Sequence, residues 1–242
     1  MEKFIGCSGY YYDHWKGRFY PDKLPKNQWL VFYSTHFNSV EINNTFYRMP
    51  QEKAVKNWYN ITPPDFLFAV KGYRYITHIK KLITDDDLLR YLHEFQELAG
   101  LLKEKAGPLL WQLPPGFKSN PGRLDRFCME LSKDFIHVFE FRNESWFNEE
   151  IYGILEKYGC SLCIVSGPSS VPRVIKATHN TAYIRFHGEG SWYRDNYSNE
   201  SLQEWKEALD ETHAKRLFAY FNNDANAFAV YNGEYFASLY KQ

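Results

Sequence analysis

Short apolar runs alternate with stretches of helical periodicity along the whole chain, and this alternation restricts the fold more than any other feature. Strands that alternate with helices pair in parallel within one sheet. The eight strand candidates are residues 4–8, 39–43, 66–71, 109–112, 136–142, 161–165, 182–187 and 217–222. Eight such units in 242 residues fit a closed (β/α)8 barrel better than an open doubly wound sheet.

Helical periodicity is clearest over residues 85–105. There Leu88, Leu92 and Phe95 recur at steps of three or four, and Thr84 stands where an N-cap residue is expected. The same period predicts helices over 120–131, 149–158, 198–214 and 224–240. No linker, low-complexity tract or repeat interrupts the pattern. We therefore predict one α/β domain over residues 1–242, a single TIM barrel.

Charge and hydropathy narrow the class of protein. The chain has 29 basic and 29 acidic residues, whereas proteins that live on duplex nucleic acid usually carry a basic excess. Nucleic acid is therefore a weakly supported partner. The first residues do not resemble a signal peptide, and no run of about 20 apolar residues predicts a membrane span. We expect a cytoplasmic protein without a membrane partner; the sequence leaves its oligomeric state open.

Polar residues share one face of several predicted strands. With a period of two, the pairs on a common face are Glu41 with Asn43, Glu140 with Arg142, and Arg185 with His187. Lys71, Gln112, Asn222 and Asn223 lie at or just after the ends of other strands. Helices cover the outside of a barrel, so these polar sets should point inward, where stability alone would favour Val, Ile or Leu. They predict a ligand site at the C-terminal mouth; the alternative is a buried polar network without chemistry.

Motifs spread along the chain resemble those of one family. They are Gly6-Cys-Ser-Gly-Tyr-Tyr-Tyr, Glu41-Ile-Asn-Asn-Thr-Phe-Tyr, Ile76-Thr-His, Trp111-Gln-Leu-Pro-Pro, Glu140-Phe-Arg with Ser145-Trp, Arg185-Phe-His-Gly and Tyr220-Phe-Asn-Asn. In this order they resemble the YecE-like barrels, domain-of-unknown-function family 72. The resemblance implies a TIM barrel and brings no established reaction with it.

Two carboxylates and one histidine are the candidate catalytic residues. Glu140 and Glu41 could serve as acid and base or as counter-charges for nearby cations, while His187 has an imidazole that normally titrates near neutrality. Lys71 lies on the strand next to Glu41, which favours the counter-charge role for that residue. With acids nearby, the pKa of Lys71 should stay high, which disfavours Schiff-base chemistry.

Inward-facing basic groups predict an anionic ligand. Arg142 and Arg185 present paired donors that match phosphate, sulfate or carboxylate. The segment after the third strand combines Lys71 and Lys80 with tyrosines around His78, which suits a phosphate-bearing ligand or forms an ordinary solvated loop. The remaining candidate ligand-binding residues are Gln112, Asn43, His78, Trp146, Asn222, Asn223 and Tyr10.

Cofactors and metals are not expected. The inward strand ends offer only Glu41, Glu140 and His187 as metal ligands, and cations lie among them. Three functions stay open at this point. The chain could be an enzyme acting on a small polar or anionic ligand, a nucleic-acid-binding or repair-nuclease-like barrel, or a non-catalytic ligand-binding or regulatory protein.

Overall fold

Eight parallel strands form a barrel in this computed structural model, which describes residues 1–168 and 172–241. The strands are β1 (Glu2–Cys7), β2 (Ser39–Ile42), β3 (Leu67–Lys71), β4 (Ala106–Gln112), β5 (His137–Glu140), β6 (Ser161–Ser166), β7 (Thr181–Phe186) and β8 (Arg216–Phe221). Pairing runs from β1 to β8 and then in descending order to β2. The ring closes where Ser8 pairs with Glu41. The predicted TIM-barrel fold is confirmed, and every predicted strand overlaps an observed one.

The closure between β1 and β2 depends on a close approach at Gly6. A Cβ atom at this position would overlap the carbonyl oxygen of Ser39. The hydroxyl of Tyr33 joins the two strands, because it accepts from the amide of Cys7 at 2.7 Å and donates to the carbonyl of Ser39 at 3.0 Å. Glycine is therefore required here by space.

Helices follow the strands in the order expected of a barrel. They are α1 (Trp29–Tyr33), α2 (Glu52–Ile61), α3 (Asp86–Gly100), α4 (Pro121–Met129), α5 (Glu149–Lys157), α6 (Asn199–Asp210) and α7 (Phe228–Ser238). The N-cap of α3 is Asp85 rather than the predicted Thr84, since the Asp85 carboxylate accepts from the amide of Leu88 at 2.9 Å. The last helix begins at Phe228, after a 3-10 turn over Ala225–Ala227, and not at residue 224. None of the described helices is long and apolar enough to cross a membrane.

The barrel interior changes from apolar to polar toward the C-terminal ends of the strands. The buried side chains that pack inside are Ala69, Leu110, Val138, Cys163, Val165, Tyr183, Phe218 and Tyr220. The next inward residue is two positions further along each strand, so Lys71 follows Ala69, Glu140 follows Val138, and Arg185 follows Tyr183. A polar layer therefore lies on an apolar floor.

Candidate functional site at the barrel mouth

A closed network of ion pairs fills the centre of the polar layer. Arg185 crosses the barrel interior, donating to Glu41 Oε1 through Nη2 and to Glu140 Oε2 through Nη1, both at 2.7 Å. Tyr183 donates its hydroxyl to Glu41 Oε2 at 2.6 Å. Arg142 pairs with Glu140 Oε1. Each of the four carboxylate oxygens thus has a donor.

Both carboxylates are held in the ionised form. Burial alone would raise the pKa of Glu41, but the charge of Arg185 and the Tyr183 hydrogen bond lower it. Burial likewise opposes ionisation of Glu140, yet Arg142 and Arg185 hold its pKa well below the usual range. Neither group carries a proton near neutral pH. The geometry therefore favours the counter-charge alternative over proton transfer by these two residues.

His187 lies beside this network as a neutral imidazole. Nη2 of Arg142 is 2.9 Å from His187 Nε2, and the side-chain amide of Asn222 is 3.1 Å from Nδ1. Arginine can only donate, so Nε2 accepts the hydrogen bond from Arg142. Burial, with the charge of Arg185, lowers the pKa of His187 to about 3. Contrary to the sequence-based expectation, this imidazole does not titrate near neutrality.

The two arginines already have protein partners. Three donor groups of Arg185, Nε, Nη1 and Nη2, contact Glu41 and Glu140. The guanidinium of Arg142 lies 4.6 Å from the ring centroid of Trp192 and donates to Glu140 and His187. We predicted that these two arginines form the main anion site. The geometry favours the alternative, in which their hydrogen-bond donors are already used by protein groups.

A pocket of about 440 Å³ opens at the C-terminal mouth, and we call it the mouth pocket. Its lining residues are Tyr12, Asn43, Phe46, Tyr47, Lys71, Gln112, Arg185, Tyr193, Asn222 and Asp224. The structure thus brings together five of the predicted ligand-binding residues: Asn43, Lys71, Gln112, Arg185 and Asn222. Sequence reasoning missed the other five, which are Tyr12, Phe46, Tyr47, Tyr193 and Asp224. The available signal was their position, because each lies in a segment that follows a strand end.

Lys71 is a cation of this pocket without a carboxylate partner. In the described part of the chain, no acidic oxygen lies within 4.0 Å of its Nζ. Strand adjacency suggested Glu41 as its partner, but Glu41 pairs with Arg185. Burial, helped by the charge of Arg185, lowers the pKa of Lys71 to about 8. The expectation of a high pKa was wrong, because burial of the ammonium, together with the charges of Arg185 and Arg142, outweighs the two acids that raise the pKa.

Aromatic and amide groups surround Lys71. Its Nζ lies 4.4 Å from the ring centroid of Phe46, an arrangement that favours the ammonium form. Thr45 anchors the strand end by donating to the Lys71 carbonyl at 2.6 Å. Asn43 contributes a side-chain oxygen that is buried and has no hydrogen-bond partner among the described residues. The pocket therefore offers both a cation and an unused polar atom.

The segment after β3 forms a π-helical turn over Tyr75–Ile79 rather than the predicted loop. It sets the ring of His78 4.8 Å from that of Phe46, behind the mouth pocket. Burial, with the charge of Lys71, lowers the pKa of His78 to about 4. Lys80 contacts Asp85 at 2.9 Å and Asp87 at 3.0 Å. Of Lys71 and Lys80, Lys80 is therefore paired with acids, whereas Lys71 has no such partner in the described part of the chain.

Two predicted ligand-binding residues are buried in the packing instead. Trp146 stacks on Phe141 with 4.8 Å between ring centroids, and its Nε1 donates to the carbonyl of Phe117. Asn223 donates to Asn232 Oδ1 at 2.7 Å. Both side chains are fully buried, which gives them structural roles.

Tyr10 lines a second pocket of about 450 Å³ next to the mouth pocket. Tyr11 and Trp58 share this aromatic lining, and Asn43 and Tyr12 belong to both pockets. The two cavities therefore adjoin, and Tyr10 lines the one that does not contain Lys71.

Asp224 is a carboxylate of the mouth pocket that is paired with a histidine. Oδ1 accepts from Trp15 Nε1 at 2.5 Å, and Oδ2 lies 3.0 Å from His14 Nε2. Burial raises the pKa of Asp224, although His14 and the Trp15 hydrogen bond oppose the shift. This carboxyl is easier to protonate than Glu41 or Glu140.

A larger cavity of about 1040 Å³ lies at the opposite end of the barrel, where it contacts the N-terminal ends of β5 and β7. Two of its cations are paired, Lys157 with Asp125 at 2.7 Å and Arg216 with Glu2 at 3.0 Å. TIM-barrel enzymes place their active sites at the C-terminal face. We therefore assign the candidate site to the mouth pocket despite its smaller volume.

Within residues 1–168 and 172–241, no group of three or more His, Cys, Asp or Glu side chains is placed to hold a metal ion. The three candidate ligands named from the sequence, Glu41, Glu140 and His187, contact Arg142 or Arg185.

The family is decided by comparison with known proteins. The family described as "Protein of unknown function DUF72" matches residues 4–242. This chain belongs to the DUF72 family. UPF0759 protein YunF of Bacillus subtilis is 31% identical over 98% of this chain and 94% of its own length. The resemblance drawn from the sequence motifs is thereby confirmed.

Solved structures agree with this assignment. A DUF72 family protein from Thermotoga maritima superposes with a TM-score of 0.89 at 28% identity, covering 100% of both chains. SacUVDE has a TM-score of 0.58 at 11% identity, again over 100% of both chains. The second likeness concerns the fold alone.

Proposed function

We propose that this DUF72 protein is an enzyme that binds a small anionic molecule in the mouth pocket, with Lys71 supplying the positive charge. The observation that carries the proposal is the absence of a carboxylate within 4.0 Å of Lys71 in the described residues. An ammonium without a counter-charge in a half-buried site costs free energy unless a bound ligand supplies the negative charge.

The charge balance of the polar layer supports an anionic ligand. Arg142 and Arg185 carry two positive charges, and Glu41 and Glu140 carry two negative ones. These four cancel, so a protonated Lys71 leaves the layer with one positive charge in excess. The anion site predicted for the two arginines therefore moves to Lys71, with Arg185 as a neighbour that lines the same pocket.

Two groups in the mouth pocket have pKa values shifted in opposite directions, which supports an enzyme over a passive binding protein. The pKa of Lys71 is lowered to about 8, and that of Asp224 is raised. Such shifts bring an amine and a carboxyl toward neutral pH, where each can exchange a proton. We assign proton transfer to Asp224, in place of Glu140 or His187.

The nucleic-acid alternative has less support. The net charge is zero, and the described residues hold no cluster of metal ligands that a hydrolytic repair mechanism would use. SacUVDE resembles this chain only in fold. A small ligand accounts better for a pocket of about 440 Å³.

Anion titration of the wild type and Lys71→Met tests the proposal. Sulfate, phosphate and small carboxylates should stabilise the wild type in thermal-shift measurements, and isothermal titration should give the affinity. Loss of the ammonium should weaken binding by roughly tenfold or more, or about 1.4 kcal/mol. Lys133→Met is the matched control because it removes the same charge from an exposed residue at the opposite end of the barrel.

Equal responses to anions in the wild type and Lys71→Met would overturn the proposal. A response lost in Lys133→Met but kept in Lys71→Met would move the anion site to the opposite cavity, with the same consequence. Arginine variants are poor probes here, because removing Arg185 would leave two buried carboxylates uncompensated.

A further inference from the structure

We infer that the side-chain amine of Lys71 is a nucleophile that forms an imine with a small carbonyl compound bearing a carboxylate or phosphate. The inference rests on the proposed anion site and adds the chemical class of the ligand. An uncharged amine next to cationic groups in a desolvated pocket is the usual setting of lysines that form Schiff bases.

The surroundings of Lys71 fit this setting. The charged and titratable groups around it are Glu41, Glu140, Arg142, Arg185, His78 and Asp224. Its Nζ donates to no nitrogen or oxygen acceptor in the described residues, and it lies 4.4 Å from the ring centroid of Phe46. With a pKa of about 8, roughly a tenth of the side chain is free amine at pH 7.

Lysines held for stability look different in this same chain. Lys105 is 4% exposed, and its Nζ donates to the Tyr59 carbonyl at 2.6 Å, the Thr62 carbonyl at 2.7 Å and Thr62 Oγ1 at 3.2 Å. All three of its donors are used. The lack of hydrogen-bond partners at the half-buried Lys71 is therefore specific to this site and not a general feature of the fold.

The covalent step balances without an oxidant or a second reactant. The nitrogen lone pair attacks the carbonyl carbon and forms the C–N bond, while a proton moves from nitrogen to oxygen to give a carbinolamine. That oxygen gains a second proton and leaves as water as the C=N bond forms. Asp224 lines the same pocket and is the proton carrier we assign to these transfers.

The pocket keeps its charge through this sequence. The protonated imine carries the positive charge that the ammonium carried before, so attraction for the anionic group persists. Arg185 lines the pocket, and the amides of Gln112 and Asn222 provide further donors for the anionic end.

Reductive trapping tests the inference. The purified full chain is incubated with pyruvate, glyoxylate or dihydroxyacetone phosphate in the presence of sodium borohydride, which reduces an imine to a stable secondary amine. Intact mass and peptide mapping should show one adduct at Lys71. Lys71→Met should abolish it, whereas Lys133→Met should keep it. Asp224→Asn should slow its formation at least severalfold.

The outcomes separate this inference from the proposed function. Propionaldehyde, a carbonyl compound without an anion, should label Lys71 roughly tenfold more slowly than pyruvate if the anion positions the carbonyl. Sulfate-dependent stabilisation without trapping at Lys71 would overturn the imine and leave the anion site standing. Equal labelling by both probes without any anion response would overturn the anion site. Labelling spread over surface lysines, with none preferred, would overturn the inference.

Discussion

Lys71 and Lys105 occupy opposite ends of the adjacent strands β3 and β4, and the chain treats their ammonium groups differently. At the N-terminal end, Lys105 is enclosed by carbonyl and hydroxyl oxygens from the end of α2. At the C-terminal end, Lys71 faces a pocket, with Phe46 as its nearest described ring neighbour. The fold can satisfy a buried ammonium completely, which supports our proposal that the ammonium without such partners marks the end of the barrel where a ligand binds.

Arg185 extends the comparison to a cation at the same end as Lys71. Arg185→Met should lower the free energy of unfolding by about 3–5 kcal/mol, because Glu41 and Glu140 would remain buried without their main counter-charge. Urea denaturation at pH 7 measures this loss. The loss should shrink as the pH falls, since protonation of the carboxyls removes the uncompensated charge.

A loss below about 1 kcal/mol would contradict this picture of Arg185 as a structural cation. The matched variant is Lys71→Met at the same mouth. It removes a cation that has no carboxylate partner, so its unfolding free energy should stay within about 1 kcal/mol of the wild type.

Lys105→Met sharpens the comparison between the two ends of the barrel. It should cost about 2–3 kcal/mol, because it removes a charged donor and leaves the Tyr59 and Thr62 carbonyls without it. Urea denaturation beside Lys71→Met measures the difference. Equal stability of the two variants would mean that the hydrogen-bond partners do not distinguish these lysines.

Sequence periodicity was sufficient to predict the strands that form the wall of the barrel, but not which side chains pair in its interior. A period of two places Glu41, Glu140 and Arg185 on inward faces, because side-chain alternation is a property of each strand by itself. Their pairing is a property of the whole barrel. Adjacency along the wall suggested Lys71 as the partner of Glu41, whereas the long guanidinium of Arg185 reaches Glu41 across the interior from β7.

Position after a strand end was likewise an incomplete guide to the site. Trp146 and Asp224 both follow strands, but the Trp146 ring inserts against Phe141, and Asp224 lines the mouth pocket. The direction of such a side chain depends on the packing of its loop, which no short-range pattern encodes. His187 was found because it continues the alternation of β7, yet its neutral state depends chiefly on burial, which is a property of the folded barrel and not of one strand.

One buried histidine lies at each end of the barrel, so the two ends can also be compared by the pH dependence of stability. His137, at the N-terminal end, accepts from Trp111 Nε1 at 3.1 Å and lies 2.8 Å from the Ser132 carbonyl. Burial lowers its pKa to about 4. His187, at the mouth, has its pKa lowered to about 3 by burial and by Arg185. Both side chains are therefore neutral in the folded chain at pH 5.5.

The sign of the effect follows from these lowered pKa values. An unfolded histidine has a pKa of about 6.5, so below that pH the unfolded chain binds protons that the folded chain does not. Stability must then fall as the pH drops from 6.5 toward the folded values. Between pH 6.5 and 5.5, the two residues together should cost roughly 2 kcal/mol. The lowered pKa of Glu140 acts in the same direction but at a lower pH, below its unfolded value near 4.

Urea denaturation at pH 6.5 and 5.5 measures this change, and His187→Gln and His137→Gln divide it between the two ends of the barrel. Each variant should retain about half of the wild-type pH dependence, because one shifted histidine remains. A wild-type stability that stays constant over this interval would mean that neither imidazole is held neutral. A pH dependence lost only in His137→Gln would mean that the mouth opens enough to protonate His187 in the folded chain. The network around Arg185 would then not be rigid enough to keep this imidazole neutral.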